Sequence, residues 1–290
     1  MDDNGKLFID VEDIDTMNLR TLHLLTTNDY ETIQFLQHLK LLPTKPVKRC
    51  SNNCNNWYLA YLHTKGKEGY TFRCRKCKGT STIRKGTFFS DSKLKFIQIF
   101  ELMYYWAREM DNLDDLSHEL SILSKTTLID WKNFCRDICA IHFINNPQKV
   151  GGPDHIVEID ESAFGKRKYN RGRLVKTQWV FDGIDINTKK CFLVEVKKRD
   201  AATLLPIIQN YVLPGTTIHS DKWKAYNDLQ NDPNYYHLTV NHSLNFVDPD
   251  TGFARTLLTS YLEEFMWRQE FGDEPLKNLI LQISSHYPVE

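Results

Sequence analysis

Two sets of side chains have the types and spacing to do chemistry. The first is carboxylate. Asp160 sits in HIVEIDESAF, residues 155–164, inside a short run of otherwise apolar strand residues, Ile156, Val157 and Ile159. A carboxylate in a strand of that kind is costly unless a hydrogen-bond network or a metal ion compensates it. A second acid, Asp221, follows another apolar strand, residues 216–220, in TTIHSDKWKAY. If the two strands are neighbours, the two aspartates can share a divalent ion. Carboxylates holding two such ions suit in-line phosphoryl transfer. Magnesium, or manganese in its place, prefers hard oxygen ligands and keeps several waters, so a few carboxylates suffice. Glu158 shares the strand face of Asp160 and is a near-site candidate. Glu161 reads as a surface or supporting acid. The second set is thiol: Cys50-x3-Cys54 and Cys74-x2-Cys77. Two short-spaced cysteine pairs that converge on one tetrahedral ion are the pattern of a zinc ribbon. Four thiolates close every position, so such a site is structural rather than catalytic.

The elements that must position the acids follow from alternation and turn signals. Residues 155–163, 178–186, 191–197, 216–220 and 237–241 read as strands. Asp200 caps a helix over 201–211, Pro214-Gly215 turns the chain, and 222–229 reads as a short helix. Three antiparallel strands followed by parallel ones reached through helices give an α+β, ribonuclease-H-like mixed sheet with flanking helices. In that arrangement the first and fourth strands are adjacent, which brings Asp160 and Asp221 together. His219, Trp223 and Tyr226 read as packing residues.

Ahead of this sheet lie the cysteine pairs and a helical region. Asn28 with Glu31 three residues on is a capping-box pattern. Ile33, Leu36, Leu39 and Leu42 follow at helical spacing, and Pro43 and Pro46 end the helix. Residues 93–108 form an apolar helix whose aromatics read as core. Residues 112–123 and 125–143 read as two helices resembling a helix-turn-helix, with Thr126, Thr127, Asp130 and Lys132 near the start of the second. Cys135 and Cys139 lie one turn apart and read as core. Residues 145–153, NNPQKVGGP, read as a linker.

Formal net charge is zero over 290 residues, so any polyanion partner must be met locally. From Lys45 to Lys85 there are eleven basic residues against one acid, Glu68, and from Lys166 to Lys176 six basic residues and no acid. Around the cysteines, Lys48, Arg49, Arg73, Arg75, Lys76, Lys78, Arg84 and Lys85, with Trp57, Tyr58, Tyr61 and Tyr70 interleaved, read as a phosphate-contacting surface without a base code. The loop bearing Lys166, Arg167, Lys168, Arg171 and Arg173 leaves directly after the Asp160 strand. An odd cysteine count, seven, with four clustered suits a reducing, intracellular compartment. The acidic N-terminus is no signal peptide and no stretch is apolar enough to span a bilayer.

These residues carry a resemblance. VEIDESAFGKRKYNRGR, WVFDGID, CFLVEV, AATLLPII, LPGTTIHSDKWKAY, HLTVNHSLNFVDPDTG and SYLEEFMWR resemble the Merlin-type DDE transposases and their ISXO-like insertion-sequence relatives, over roughly residues 28–271. The cysteine pairs match that family's zinc ribbon. The resemblance implies a DNA transposase acting on transposon ends, with Asp160 and Asp221 as the first and second catalytic aspartates. It places His242 and Asn245 near the DNA or the metals, and implies a nuclear location in a eukaryotic host and a homo-oligomer as a further partner. It also implies a third acid, a Glu in a segment after FVDPDTG. Here Gly252 runs directly into FARTLLTSYLEEFMWR, which resembles the region beyond that segment. Glu263 and Glu264 flank an expected buried stripe of Leu258, Leu262, Phe265 and Met266, and Glu263 is kept as a near-site candidate. The expected layout is a poorly ordered N-terminus over 1–26, helix and ribbon over 27–90, helical region over 91–146, a shortened catalytic domain over 154–271 and a tail over 272–290. The expected function is a transposase-like protein with impaired strand cleavage and transfer, or else a non-catalytic DNA-binding derivative of one.

Overall fold

The computed structural model describes residues 9–46, 50, 53–62, 69–164, 178–221, 223–239 and 258–289. In chain order the helices are α1 (Leu19–Leu25), α2 (Asp29–His38), α3 (Phe96–Ala107), α4 (Leu113–Glu119), α5 (Lys125–Asn145), α6 (Ala201–Tyr211), α7 (Leu258–Phe271) and α8 (Pro275–His286). The strands are β1 (Trp57–Tyr61), β2 (Tyr70–Cys74), β3 (Thr80–Ser81), β4 (Val150–Gly151), β5 (Ile156–Phe164), β6 (Gln178–Asp185), β7 (Cys191–Val196), β8 (Val212–Leu213), β9 (Thr217–Ser220) and β10 (Tyr236–Thr239). The chain divides into two compact units, Met1–Ile138 with Asp273–Glu290, and Cys139–Gly272.

In the first unit the N-terminal pattern folds as its caps dictate. The Asn28 side chain accepts the Glu31 N–H at 3.0 Å, and Ile33, Leu36, Leu39 and Leu42 are all buried. Residues 11–25, expected to be poorly ordered, instead form a 3-10 helix, Val11–Thr16, and α1. Asn18 caps α1 through Thr21 N–H, and Ile14, Met17 and Leu22 are buried. The expected C-terminal tail is α8, with Leu276, Leu279, Ile280 and Ile283 buried. Its free N-terminal N–H groups, those of Leu276 and Lys277, are taken by the Asp15 carboxylate at 3.1 and 2.9 Å. The two ends of the chain thus complete each other, by a capping contact that sequence proximity hides.

The aromatics of α3 are core, as expected. Helix α4 ends at Glu119, earlier than read, because Ser121 adopts a left-handed φ of 52° that stops the helix. Lys132 ion-pairs with Asp111 at 2.6 Å. Cys135 and Cys139 are fully buried. Strands β1, β2 and β3 form an antiparallel sheet.

The second unit holds a five-stranded sheet of order β10-β9-β5-β6-β7. Strands β5, β6 and β7 pair antiparallel, and β5–β9 and β9–β10 pair parallel. This is the ribonuclease-H-like order. The segment read as a linker contributes β4, which pairs parallel with β8. One face of the sheet carries Val157, Ile159, Phe181, Phe192 and Ile218, covered by Leu204 and Ile208 of α6 and by Tyr226 and Leu229 of a 3-10 helix, Lys224–Asn231. Gly183 lets the Phe192 ring lie flat on β6, since a Cβ there would stand 2.3 Å from the ring. On the other face Leu262 of α7 packs on Val180 and Leu193. The stripe expected on α7 is shifted: Trp267 is fully buried and Phe265 is 51% exposed.

Asp185, at the end of β6, is 1% exposed. Its carboxylate accepts from Asn187 N–H at 2.9 Å, Thr188 N–H at 3.1 Å and Gly151 N–H at 3.3 Å, and meets His155 Nδ1 at 2.8 Å. Burial pushes its pKa up, but these donors outweigh burial and hold it below the usual range. Asp185→Ala orphans all of them, and the expected cost is about 3 kcal/mol, read as a lower urea midpoint. Asp185→Asn, which keeps one acceptor oxygen, is expected to lose less.

Candidate functional site

The register of the sheet sets three aspartates at one level. Between β5 and β9, Ile156 pairs with Thr217 and Glu158 with His219. Continued by two residues, that register puts Asp160 beside Asp221, the residue after β9. Between β5 and β6, Asp160 pairs directly with Asp182. Alternation places Asp160 and Asp182 on the face of Val180, the face that α7 covers. Glu161 falls on the opposite face, across from Phe181.

The acids feel one another's charge. Asp182 is pushed from 3.8 to about 7, first by burial and then by Asp160 and Glu161, with a Ser162 hydrogen bond pulling the other way. Glu161 is pushed from 4.5 to about 7, first by burial and then by Asp221 and Asp160, while Arg199 lowers it. The Arg199 guanidinium stands 4.0 Å from a Glu161 side chain that is 5% exposed. Glu161 Oε1 is buried without a hydrogen-bond partner. The charge that Asp182 and Asp160 place side by side on one face is what a cation there would relieve, whereas the orphaned Glu161 oxygen lies on the opposite face. The aspartates are also oriented: Asp160 Oδ1 accepts Glu161 N–H at 2.8 Å, and Asp221 Oδ1 accepts Trp223 N–H at 2.9 Å. Among the described residues, no three of these acids bring their oxygens within 4.8 Å of one another, as mutual repulsion would have it.

Glu158 is half-buried on the Asp160 face, two residues away. Glu263 lies on α7, which packs against β7, at the far edge of the sheet from β9. Lys166, Arg167, Lys168, Arg171, Arg173, His242 and Asn245 lie outside the described residues, as do Lys48 and Arg49. Asp182 was not singled out in the sequence. Its signal was there in WVFDGID, as an acid at an alternating position of the strand that pairs with β5. Trp223, read as packing, is 42% exposed.

The second site lies in the other unit. The ligand atoms of Cys50, Cys54, Cys74 and Cys77 all lie within 4.8 Å of one another. Cys50 Sγ is 3.5 Å from Cys54 Sγ and 4.0 Å from Cys74 Sγ. Four sulfurs bonded at about 2.3 Å to a tetrahedral ion stand about 3.8 Å apart, so the thiols could hold a metal with little adjustment. Backbone N–H groups, that of Cys77 first, hold the Cys74 thiol at about 6 against burial. Burial first and then the neighbouring sulfurs push Cys54 to about 12. A metal-free cluster therefore cannot ionise throughout, and a bound cation removes that conflict. Arg73, Arg75, Lys76 and Lys78 are exposed beside it, with the Arg75 guanidinium over the Tyr58 ring at 4.5 Å. Arg84 departs from the phosphate-contacting reading. It is 7% exposed, lies over Phe96 and donates to Phe89 O and Leu94 O, so its charge is spent on tying a loop together.

Residues 150–250 match the ISXO2-like transposase domain family. No curated protein sequence matches the chain. Among solved structures, the HTLV-2 integrase catalytic core domain in complex with magnesium is 18% identical over 46% of this chain and 84% of that one, with a TM-score of 0.24 for its dimeric form. Its trimeric form is 19% identical over 45% and 82%, with a TM-score of 0.25. The simian T-cell lymphotropic virus intasome in complex with PP2A regulatory subunit B56 gamma is 15% identical over 55% and 56%, with a TM-score of 0.24. Among the described residues no helix is long and apolar enough to cross a membrane.

The raised acids make stability depend on pH. A carboxyl whose folded pKa lies above its unfolded value binds its proton more tightly when folded, so stability falls as pH rises from about 4 to about 7. Metal-free protein should therefore melt lower at pH 8 than at pH 6. Asp182→Asn should raise the pH 8 midpoint, by on the order of 1 kcal/mol after solvent screening, and should do much less at pH 5. A midpoint that climbs with pH in chelator would contradict the shared-field picture.

Proposed function

With residues 150–250 taken as an ISXO2-like transposase domain, we propose that the chain is a DNA transposase-like protein acting at transposon ends, by itself or as a homo-oligomer. The observation that carries this reading is the parallel pairing of β5 with β9, which, continued past Ser220, would set Asp221 beside Asp160. Asp160, Asp221 and the neighbouring Asp182 are the residues that would hold magnesium or manganese. Such an ion would supply an acidified water or hydroxyl and neutralise charge on a phosphate. The protein's own part is to fix the carboxylates by backbone N–H bonds. The exposed Arg73, Arg75, Lys76 and Lys78 would carry the DNA backbone, as would the loop of Lys166, Arg167, Lys168, Arg171 and Arg173. The Cys50, Cys54, Cys74 and Cys77 site would hold zinc as a structural ion. Helices α4 and α5 supply the helix-turn-helix-like element.

The family resemblance assigns a third acid to a segment that has no counterpart after Gly252. That departure favours weak strand cleavage, and it is the ground for a second reading, a non-catalytic DNA-binding protein. Asp182, which pairs directly with Asp160, is the better candidate for a third carboxylate than Glu263.

Purified chain should contain one zinc by mass spectrometry of metals. Cys74→Ser should release it and expose the ribbon to protease, whereas equal zinc in wild type and variant would remove the structural-ion reading. DNA affinity should fall steeply with salt, by on the order of tenfold or more between 50 and 200 mM, and Arg73→Ala with Arg75→Ala should flatten that slope. Magnesium-dependent nicking should be weak, and absent in Asp160→Ala. Salt-insensitive binding would sink the DNA reading. Nicking indifferent to Asp160 would sink the site, and tight binding without any nicking selects the second reading.

A further inference from the structure

Beside the aspartates stands a group that metal chemistry does not use. The Arg199 guanidinium lies over two indole rings, 3.5 Å from the centroid of Trp179 and 5.0 Å from that of Trp223. Buried Glu161 faces the same guanidinium at 4.0 Å. Trp223 is held from two sides. Its main-chain N–H goes to Asp221 Oδ1 at 2.9 Å and its indole N–H to Arg199 O at 3.3 Å. With its polar atom satisfied and its orientation set, the ring could pack inward, yet it remains 42% exposed. An indole this ordered and this open, two residues from Asp221, has the properties of a receptor for a flat ring.

We propose that Trp223, backed by Arg199 and Trp179, is a stacking platform for one unpaired nucleobase of the DNA strand at the Asp160–Asp221 pair. The inference rests on DNA being the substrate, as proposed above. Several acids surround the platform, and Arg199 is the cation that faces Glu161. The phosphate would be held through the ion that the aspartates bind, and the base, which carries no charge, gives a second hold on the strand that the neighbouring carboxylates do not oppose. A duplex offers no free base face, since its bases already stack on one another. An unpaired base does, and stacking on an aromatic ring tolerates any base because each has a π-face. The guanidinium against the rear of the indole adds a cation–π contact. Because the ring is fixed before the strand arrives, little side-chain entropy is lost on binding. A base seated there places its own phosphate within a nucleotide's reach of Asp221.

The test uses the full chain with zinc, and single-stranded oligonucleotides carrying 2-aminopurine at successive positions beside a nicking site. Blunt duplex of the same sequence is the comparison. Wild type should quench 2-aminopurine at one position. Trp223→Ala should lose that quench and bind the single strand roughly 5- to 100-fold more weakly, the range that stacking of one base spans. Trp223→Phe should recover most of both, and duplex affinity should change less than twofold in either variant. Unchanged quenching in Trp223→Ala overturns the proposal, as does an equal loss for single strand and duplex, or a Phe variant no better than Ala. The two readings fail differently. Wild type that binds neither DNA form removes the transposase reading and this inference together. Salt-sensitive binding with an indifferent Trp223 removes the platform alone.

Discussion

Carboxylates set at one level on three adjacent strands repel one another, and the sheet must hold them there against that repulsion. Burial first, and then that repulsion, push Asp182 to about 7, and do the same to Glu161 on the opposite face. Neither would sit so high in a scaffold that gave each acid its own cation or its own water. Parallel pairing of β5 with β9 fixes the Asp160–Asp221 neighbourhood, and antiparallel pairing of β5 with β6 fixes Asp160–Asp182. A slip of one residue in either register would send one partner to the other face. The apolar face of the sheet is what forbids the slip. Val157, Ile159, Phe181 and Ile218 are each buried at 2% exposure or less, and exchanging them for their polar neighbours would expose that core.

That dependence explains why the sheet was legible from sequence. The alternation of HIVEIDESAF, the caps Asn28 and Asp200, and the Pro-Gly turn before β9 each act locally, and the elements they define start within a residue of expectation, although α2 ends at His38, ahead of Pro43, where Lys40 turns left-handed. The strand order followed from two antiparallel returns and two helical crossovers. What was not legible acts between residues far apart in sequence. Asp15 caps a helix that begins at Pro275, and no local pattern near Val11 or Pro275 announces it. Arg84 looks like its basic neighbours until its partners, Phe89 O and Leu94 O, are seen to enclose it.

The candidate site divides in the same way. Asp160 and Asp221 stood out because an acid contrasts with an apolar strand. Asp182 stands in an equally apolar strand, but its meaning depends on which residue of β5 it faces, and that is a property of register. Trp223 was read, with Tyr226, as packing, and only Tyr226 is buried. Two hydrogen bonds fix the Trp223 ring, and it is nonetheless left 42% exposed. The cysteines were legible for a different reason: ligand spacing in a ribbon is set by two tight turns, each of which is local.

Asp185 shows what distinguishes a supporting acid from a site acid. Both Asp185 and Asp182 lie on β6, three residues apart, and both are removed from water to a large degree. Asp185 meets three backbone N–H groups and a histidine, and its pKa falls in spite of burial. Asp182 meets a hydroxyl and two other acids, and its pKa rises. Burial acts on both in the same direction, so the difference comes from the neighbours. The first arrangement stabilises a turn and leaves nothing for a ligand to improve. The second leaves a deficit that a divalent cation would relieve, and a scaffold that keeps such a deficit on its central strands while filling every lone pair of Asp185 has the energetic profile of a binding site.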